Sequence, residues 1–226
     1  MAKTSDIDRF RQVPLSRERI LRAALDLADK EGIESLSMRK LAQELGVQAM
    51  SLYNYVTNKD DLLDGIVDIT IGEIEVPTLT TDWKTAMRRR ANSAHKVLLR
   101  HPWSTLEIVS RVNVGLANMR YVDATLGCLR EAGFSFEMAD HAWNTIDSHI
   151  YGFTLQELKF PFAPTEYSQA AKDGFALIPV HEYPYLNQLT RHVIEGKYNG
   201  IHDFEFGLEI ILNGLDRLRE NARSSG

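Results

Sequence analysis

Ser37-Met-Arg-Lys-Leu-Ala-Gln-Glu-Leu-Gly46-Val-Gln-Ala-Met-Ser-Leu-Tyr-Asn-Tyr-Val56 decides the fold. Ser37 is a good N-cap, and Leu36 before it is placed to staple onto Leu41. Gly46 supplies a left-handed C-cap, so a helix of about two turns is bracketed between them. Leu41, Ala42 and Leu45 form its apolar stripe, leaving Arg39, Lys40 and Gln43 outside. In the segment from Gln48 to Val56, predicted as a second helix, Val47, Leu52 and Val56 face inward. The opposite face then carries Gln48, Ala49, Ser51, Tyr53, Asn54 and Tyr55, with Lys59 just beyond. Amides and hydroxyls bond base edges, tyrosine reaches phosphate, and Arg39 and Lys59 neutralise phosphate charge. Two short helices meeting at a glycine, the second polar on its free face, read as a helix built to enter a DNA groove. The same spacing also occurs in ordinary helix pairs, so the flanking sequence carries the decision.

Upstream, Ser16 caps a helix predicted over Arg17–Glu31, with Ile20, Ala23, Ala24, Leu27 and Ala28 as its buried stripe and Gly32 as its stop. Downstream, Asn58 caps a further helix whose apolar side is Leu62, Leu63, Ile66 and Ile69. The blocks Arg17-Glu-Arg-Ile-Leu-Arg-Ala-Ala-Leu-Asp-Leu, Gly32-Ile, Leu36-Ser-Met-Arg-Lys-Leu-Ala, Leu45-Gly-Val, Leu52-Tyr-Asn-Tyr-Val and Asn58-Lys-Asp-Asp-Leu-Leu resemble the N-terminal DNA-binding domain of the TetR family of bacterial transcriptional regulators. More weakly, Asp82-Trp-Lys, Leu99-Arg-His-Pro, Leu129-Arg-Glu-Ala-Gly-Phe-Ser and Tyr151-Gly-Phe resemble the C-terminal domain of its tetracycline-repressor branch.

The resemblance implies an all-α homodimer: a three-helix head, a connector helix, and a larger helical domain that binds a small-molecule effector and dimerises. It implies a ligand-responsive regulator, with repression as the expected direction, that holds a palindromic double-stranded DNA operator until the effector releases it. It places Arg39, Gln48, Ala49, Met50, Ser51, Tyr53, Asn54, Tyr55 and Lys59 on the DNA face. The tetracycline branch holds its drug with a magnesium ion, partly through a His and a Glu. Here Ile108-Val-Ser-Arg-Val-Asn-Val114 has no His, and the Glu position falls on the neutral amide of Gln156, with Glu157 one residue later. An amide is a poor ligand for a hard cation, so metal-tetracycline recognition is not expected.

The 226 residues divide into a head over 1–75, with its helix-turn-helix core at 37–56, and a body over 76–226. Glu75-Val-Pro-Thr-Leu-Thr-Thr-Asp82 has the punctuation of a linker. The net charge of −5 argues against non-specific wrapping of nucleic acid by the whole surface and leaves room for a local docking face. Residues 1–60 hold ten Lys and Arg against nine Asp and Glu, so any DNA face depends on where Arg39, Lys40, Lys59, Arg9, Arg11, Arg17 and Arg19 point. The single cysteine, Cys128, fits a reducing cytoplasm, and no apolar run reaches membrane-spanning length. The histidines show no metal-binding spacing and no phosphate loop or nucleophile elbow occurs; no cofactor, no metal site and no enzyme activity are expected.

Two seams in the body follow a 4-3-4-3 rhythm: Ala139, Trp143, Ile146, Ile150, Phe153 and Phe204, Leu208, Ile211, Leu215, Leu218. Periodicity alone suits burial within one chain or against a partner. The resemblance favours a dimer interface of Ala139, Ile146, Ile150, Leu208, Ile211, Leu215 and Leu218. Trp103, Leu106, Met119, Tyr121, Trp143, His149, Phe153 and Gln156 mix apolar walls with polar handles and are candidates for the effector site. Phe160–Pro184, rich in proline, lacks helical periodicity and is expected as a connection over one end of the body. A helical DNA-binding dimer without an effector, and an enzyme with a helical pocket, are the alternatives.

Overall fold

A computed structural model describes residues 14–78, 82–112, 114–162, 166–198 and 203–224; the candidate cations Arg9 and Arg11 lie outside them. The described residues form eleven α-helices, two 3₁₀ turns and no strand. In the head, α1 spans Arg17–Glu31, α2 Met38–Leu45, α3 Ala49–Leu52 and α4 Lys59–Gly72. Each boundary has a local cause. Ser16 accepts from the Arg19 N–H, Ser37 from the Lys40 N–H, and Asn58 from the Asp61 N–H. Gly46 adopts φ 66°, ψ 32°; its own N–H bonds to Gln43 O and that of Val47 to Ala42 O, the paired bonds of a Schellman ending.

The second predicted helix is shorter than expected. Helical geometry stops at Leu52, and Tyr53-Asn54-Tyr55 continues as a turn closed by the Tyr55 and Val56 N–H groups on Leu52 O. Two tyrosines, an asparagine, a valine and a threonine in succession are weak helix formers, and burial of Val56 pulls the chain inward toward α4. Ile20, Ala24, Leu27, Leu36, Leu41, Leu52, Val56, Leu62 and Ile66 make the head core.

The body contains α5 (Trp83–Arg100), α6 (Ser104–Ser110), α7 (Leu116–Glu131), α8 (Phe136–Lys159), α9 (Tyr167–Gly174), α10 (Pro184–Ile194) and α11 (Phe204–Ser224). Its centre is the packing of α5, α7 and α8, with α11 against α8 and joined to α5 by the Lys84–Asp216 and Arg88–Glu209 pairs. Helix α4 packs on α1 in the head and on α6 and α7 in the body, so it belongs mechanically to both.

Two expectations are corrected. The region expected as a connection without helix contains α9, whose Tyr167 packs at a tilt against Phe160 and Phe162 with centroid distances of 5.4 and 6.2 Å. The expected dimer residues Ala139, Ile146, Ile150, Leu208 and Leu215 are buried inside the single chain, and Ile211 is half-buried. They pack within one protomer, where α8 and α11 meet, and of these six only Ile211 keeps partial exposure. Gly207 explains how closely these helices approach: a Cβ there would lie 2.5 Å from His149 Cε1. Of that expected set only Leu218 stays exposed, on a face of α11 that also presents Phe206 and Ile210, 68% and 59% exposed.

Candidate nucleic-acid interface and ligand site

None of the nine residues expected on the DNA face is buried. Arg39, Gln48, Met50, Tyr53, Asn54, Tyr55 and Lys59 are exposed, and Ala49 and Ser51 are half-buried. Met50, an apolar side chain, is 75% exposed beside these polar groups.

Two of the expected phosphate cations have other work. Arg17 donates to Tyr55 O at 2.9 Å and to both oxygens of Asp61, at 2.5 and 3.1 Å. Asp61 also accepts from the Thr57 N–H and hydroxyl at 2.7 and 2.9 Å. The Arg17 side chain, aided by the Thr57 bonds and opposed by partial burial, lowers the Asp61 pKa to about 2. One guanidinium thus ties the starts of α1 and α4 to the end of the presented segment. Lys40 pairs with Glu31 and braces α2 against α1.

Below the head, Asp60, Asp64 and Asp68 recur every four residues along one face of α4. Arg111, just past α6, reaches Asp64 at 3.1 Å and Asp60 at 3.4 Å while also holding Glu107 at 2.7 Å. Asp68 accepts from the Ala117 and Asn118 N–H groups at 3.2 and 2.9 Å, capping the start of α7. At the other end of α4, Glu73 meets Arg100 at 2.5 Å and His101 at 3.2 Å.

Inside the body, Arg90 on α5 is fully buried and pairs with Asp147 on α8. Asp147 also accepts from Trp143 Nε1 at 2.7 Å and from the Tyr151 hydroxyl at 3.4 Å. The Arg90 guanidinium sits 4.6 Å from the centroid of the Tyr121 ring on α7. Burial opposes its charge, and Tyr121 and Asp147 more than offset that, keeping it protonated. Burial, reinforced by Asp147, raises both phenols, so Tyr121 and Tyr151 stay neutral. A second cluster lies farther along α8. His95 and His149 stack on opposite contacts of Phe204 with centroids at 4.3 and 4.9 Å. His95 also touches Thr154 at 2.8 Å and Glu157 at 3.1 Å, and burial pushes its pKa down.

The eight candidate effector residues therefore separate. Tyr121 and Trp143 belong to the Arg90 cluster, His149 and Phe153 to the Phe204 cluster. Trp103 instead donates to Asp29 at 2.7 Å at the junction with the head. Leu106, Met119 and Gln156 are exposed. Sequence reasoning missed Arg90, Asp147 and His95. Arg90 follows Arg88 and Arg89 in a run that resembles a solvated face, yet it falls in the spacing of Trp83, Met87, Ala91 and Ala94, the buried side of α5. That spacing was the available signal. Cys128 is buried and unpaired by disulfide, and burial raises its pKa. Among the described residues no helix is long and apolar enough to cross a membrane, and no group of three His, Cys, Asp or Glu side chains is placed to hold a metal ion.

A helix-turn-helix head braced onto a helical body with a buried polar cluster defines a DNA-binding regulator with a separate domain for sensing. Residues 76–219 match the tetracyclin repressor-like C-terminal domain and residues 20–66 the bacterial regulatory proteins of the tetR family. The chain belongs to the TetR family of transcriptional regulators. It is 31% identical to the HTH-type transcriptional repressor DrrR1 of Streptomyces coeruleorubidus, over 90% of this chain and 78% of that one. It is 33% identical to the class A tetracycline repressor from transposon 1721 of Escherichia coli, over 88% and 90%. Among solved structures it is similar to apo ActR from Streptomyces coelicolor, with TM-score 0.79, 30% identity and coverage of 93% and 99%. ActR in complex with actinorhodin gives TM-score 0.77 at 30% identity, with coverage of 92% and 99%.

Proposed function

We propose that this chain is a ligand-responsive transcriptional repressor that acts in the cytoplasm as a homodimer on a palindromic operator and binds rather than transforms its effector. The observation that carries this is the outward presentation of Gln48 through Tyr55 on a head whose orientation is tied down by Arg17, Asp61 and Tyr55 O. Tyr53, Arg39 and Lys59 serve phosphates; Gln48, Ser51 and Asn54 serve base edges; Ala49 and Met50 serve methyl groups. A single such segment reads few base pairs. Two held about 34 Å apart read two half-sites one turn apart, and a changed separation weakens both at once.

The dimer face assigned here is the exposed side of α11, with Phe206, Ile210 and Leu218. Effector control follows from α4. Tyr121 of the buried cluster lies on α7, α7 begins on Asp68 of α4, and α4 begins at Lys59 and Asp61 of the head. A ligand that favours one placement of α7 over another thereby biases the spacing of the heads. The relatives support the same division of labour, since ActR is solved with actinorhodin bound. The test is selection from a randomised duplex pool followed by sedimentation of the complex. A two-fold symmetric site bound by two chains is expected; a protein that remains single and retains no sequence overturns the proposal.

A further inference from the structure

We propose that Arg90 is the specificity anchor of the effector site, and that the effector presents a hydrogen-bond-accepting oxygen on a planar aromatic body to the Nε and Nη1 groups of its guanidinium. This rests on the ligand-responsive reading above and names the ligand chemistry of that same domain. The argument is a balance of donors and acceptors. Arg90 is fully buried, its Nη2 donates to Asp147 Oδ1, its face lies over the Tyr121 ring, and its Nε and Nη1 have no hydrogen-bond partner among the described residues. The nearby carboxylate is already spent. Asp147 Oδ1 serves Arg90, while Asp147 Oδ2 accepts from both Trp143 and Tyr151. The cluster therefore has more donors than acceptors. Buried donors left unmade are costly, and the group that satisfies them must bring acceptors and no further donors.

The surroundings set the rest of the ligand. Tyr121 lies under the guanidinium face, and Trp143 and Tyr151, both half-buried, form the outer rim of the cluster. Such walls favour a flat ring system by stacking and area burial, while Arg90 fixes its orientation through a planar set of donors. A carboxylate or phenolate oxygen and a neutral ring carbonyl share the acceptor chemistry.

Three probes of one size separate these sources: 2-naphthoate, 2-acetonaphthone and 2-ethylnaphthalene, titrated calorimetrically into the intact protein. One of the two oxygen-bearing probes is expected to bind about tenfold to a hundredfold more tightly than 2-ethylnaphthalene, the range of a hydrogen bond to a charged group. Preference for naphthoate identifies an oxyanion; preference for acetonaphthone identifies a carbonyl. Arg90→Met alone strands the Asp147 charge, so the informative variant is R90M/D147N, which removes both charges at similar volume. It is expected to bind all three probes equally. Should it fail to fold by circular dichroism, Arg90→Lys keeps a cation beside Asp147 with fewer donors, and a reduced preference is expected. Equal binding of the three probes to the unaltered protein, no binding of any of them, or a preference that survives in these variants makes Arg90 a purely structural ion pair and overturns the proposal. Operator binding of the same proteins is measured alongside. Retained operator binding without an oxygen preference defeats the Arg90 assignment alone, whereas loss of all sequence-selective binding in the unaltered protein defeats the regulator reading.

Discussion

His101 Nδ1 lies 2.8 Å from Asp29 Oδ1, joining the end of α5 in the body to the last turn of α1 in the head. Its Nε2 lies 3.2 Å from Glu73 at the end of α4, and Trp103 donates to the same Asp29. One buried imidazole therefore touches both domains and the connector. Together with Arg111 near the start of α4 and Asp68 farther along it, it fastens α4 to the body at several points along its length.

Replacing His101 with Ala removes bonds to two carboxylates at a buried position. A loss of about 2 kcal/mol in urea unfolding is expected, the scale for hydrogen bonds to charged groups. The sharper consequence is functional: operator affinity without ligand changes little, while release by ligand weakens, because head and body no longer share one contact. A fluorescence titration of labelled operator, with and without effector, measures both; an undiminished ligand response would mean His101 only packs the junction.

Asp61→Asn tests the brace behind the DNA face. The folded-state pKa of Asp61 is depressed to about 2, so its stabilisation is present above the ordinary carboxylate range near pH 4 and disappears as pH falls through about 2. Lowering the carboxyl from its ordinary value to about 2 corresponds to at most about 2.4 kcal/mol. Arg17 is 45% exposed, and screening reduces this to about 1 kcal/mol. Urea unfolding at pH 7 should show that difference between the variant and the parent protein, and the difference should shrink as pH falls from about 4 toward 2. A gap that stays constant over that range would assign the effect to packing.

The head was legible in sequence because its signals are local. Ser16, Ser37, Gly46 and Asn58 cap or terminate helices within three or four residues of themselves, and those bonds form as expected. The limits were reached where partners are far apart. Arg17 carries the spacing of a phosphate cation, and only tertiary structure brings Asp61, 44 residues away, to occupy it. The 4-3-4-3 seams mark packing stripes, yet a stripe does not name its partner; Ala139 and Leu208 are both buried within one chain, whose two long helices pack on each other. Arg90 shows the same limit in charge: three consecutive arginines look alike until helix phase separates the buried one.

Lys59→Ala and Asn54→Ala separate positioning from reading. Loss of one phosphate contact at Lys59 should lower the slope of log affinity against log salt by about 0.9 while weakening all sequences similarly. Loss of a base contact at Asn54 should cost about 1–3 kcal/mol on the preferred operator and relax one position of the selected motif. Identical motifs from parallel selections with parent and variant would remove Asn54 from the bases.

The α11 face offers the last test, on assembly. Phe206, Ile210 and Leu218 stand at spacings of four and eight residues, which places them along one side of the helix, while Leu208, Leu212 and Leu215 fill the opposite side. The two rows make opposite predictions. Ile210→Glu introduces a charge where a monomer already exposes the position, so folding should be preserved, but burial of that charge in a two-fold interface costs several kcal/mol. The variant is expected to sediment as a folded monomer and to lose operator affinity, because the two heads no longer bind as a linked pair. Leu212→Glu, by contrast, places the charge in the core and should lower the thermal midpoint before any change in association is measurable. If Ile210→Glu remains dimeric at micromolar concentration, the partner surface lies elsewhere on the body.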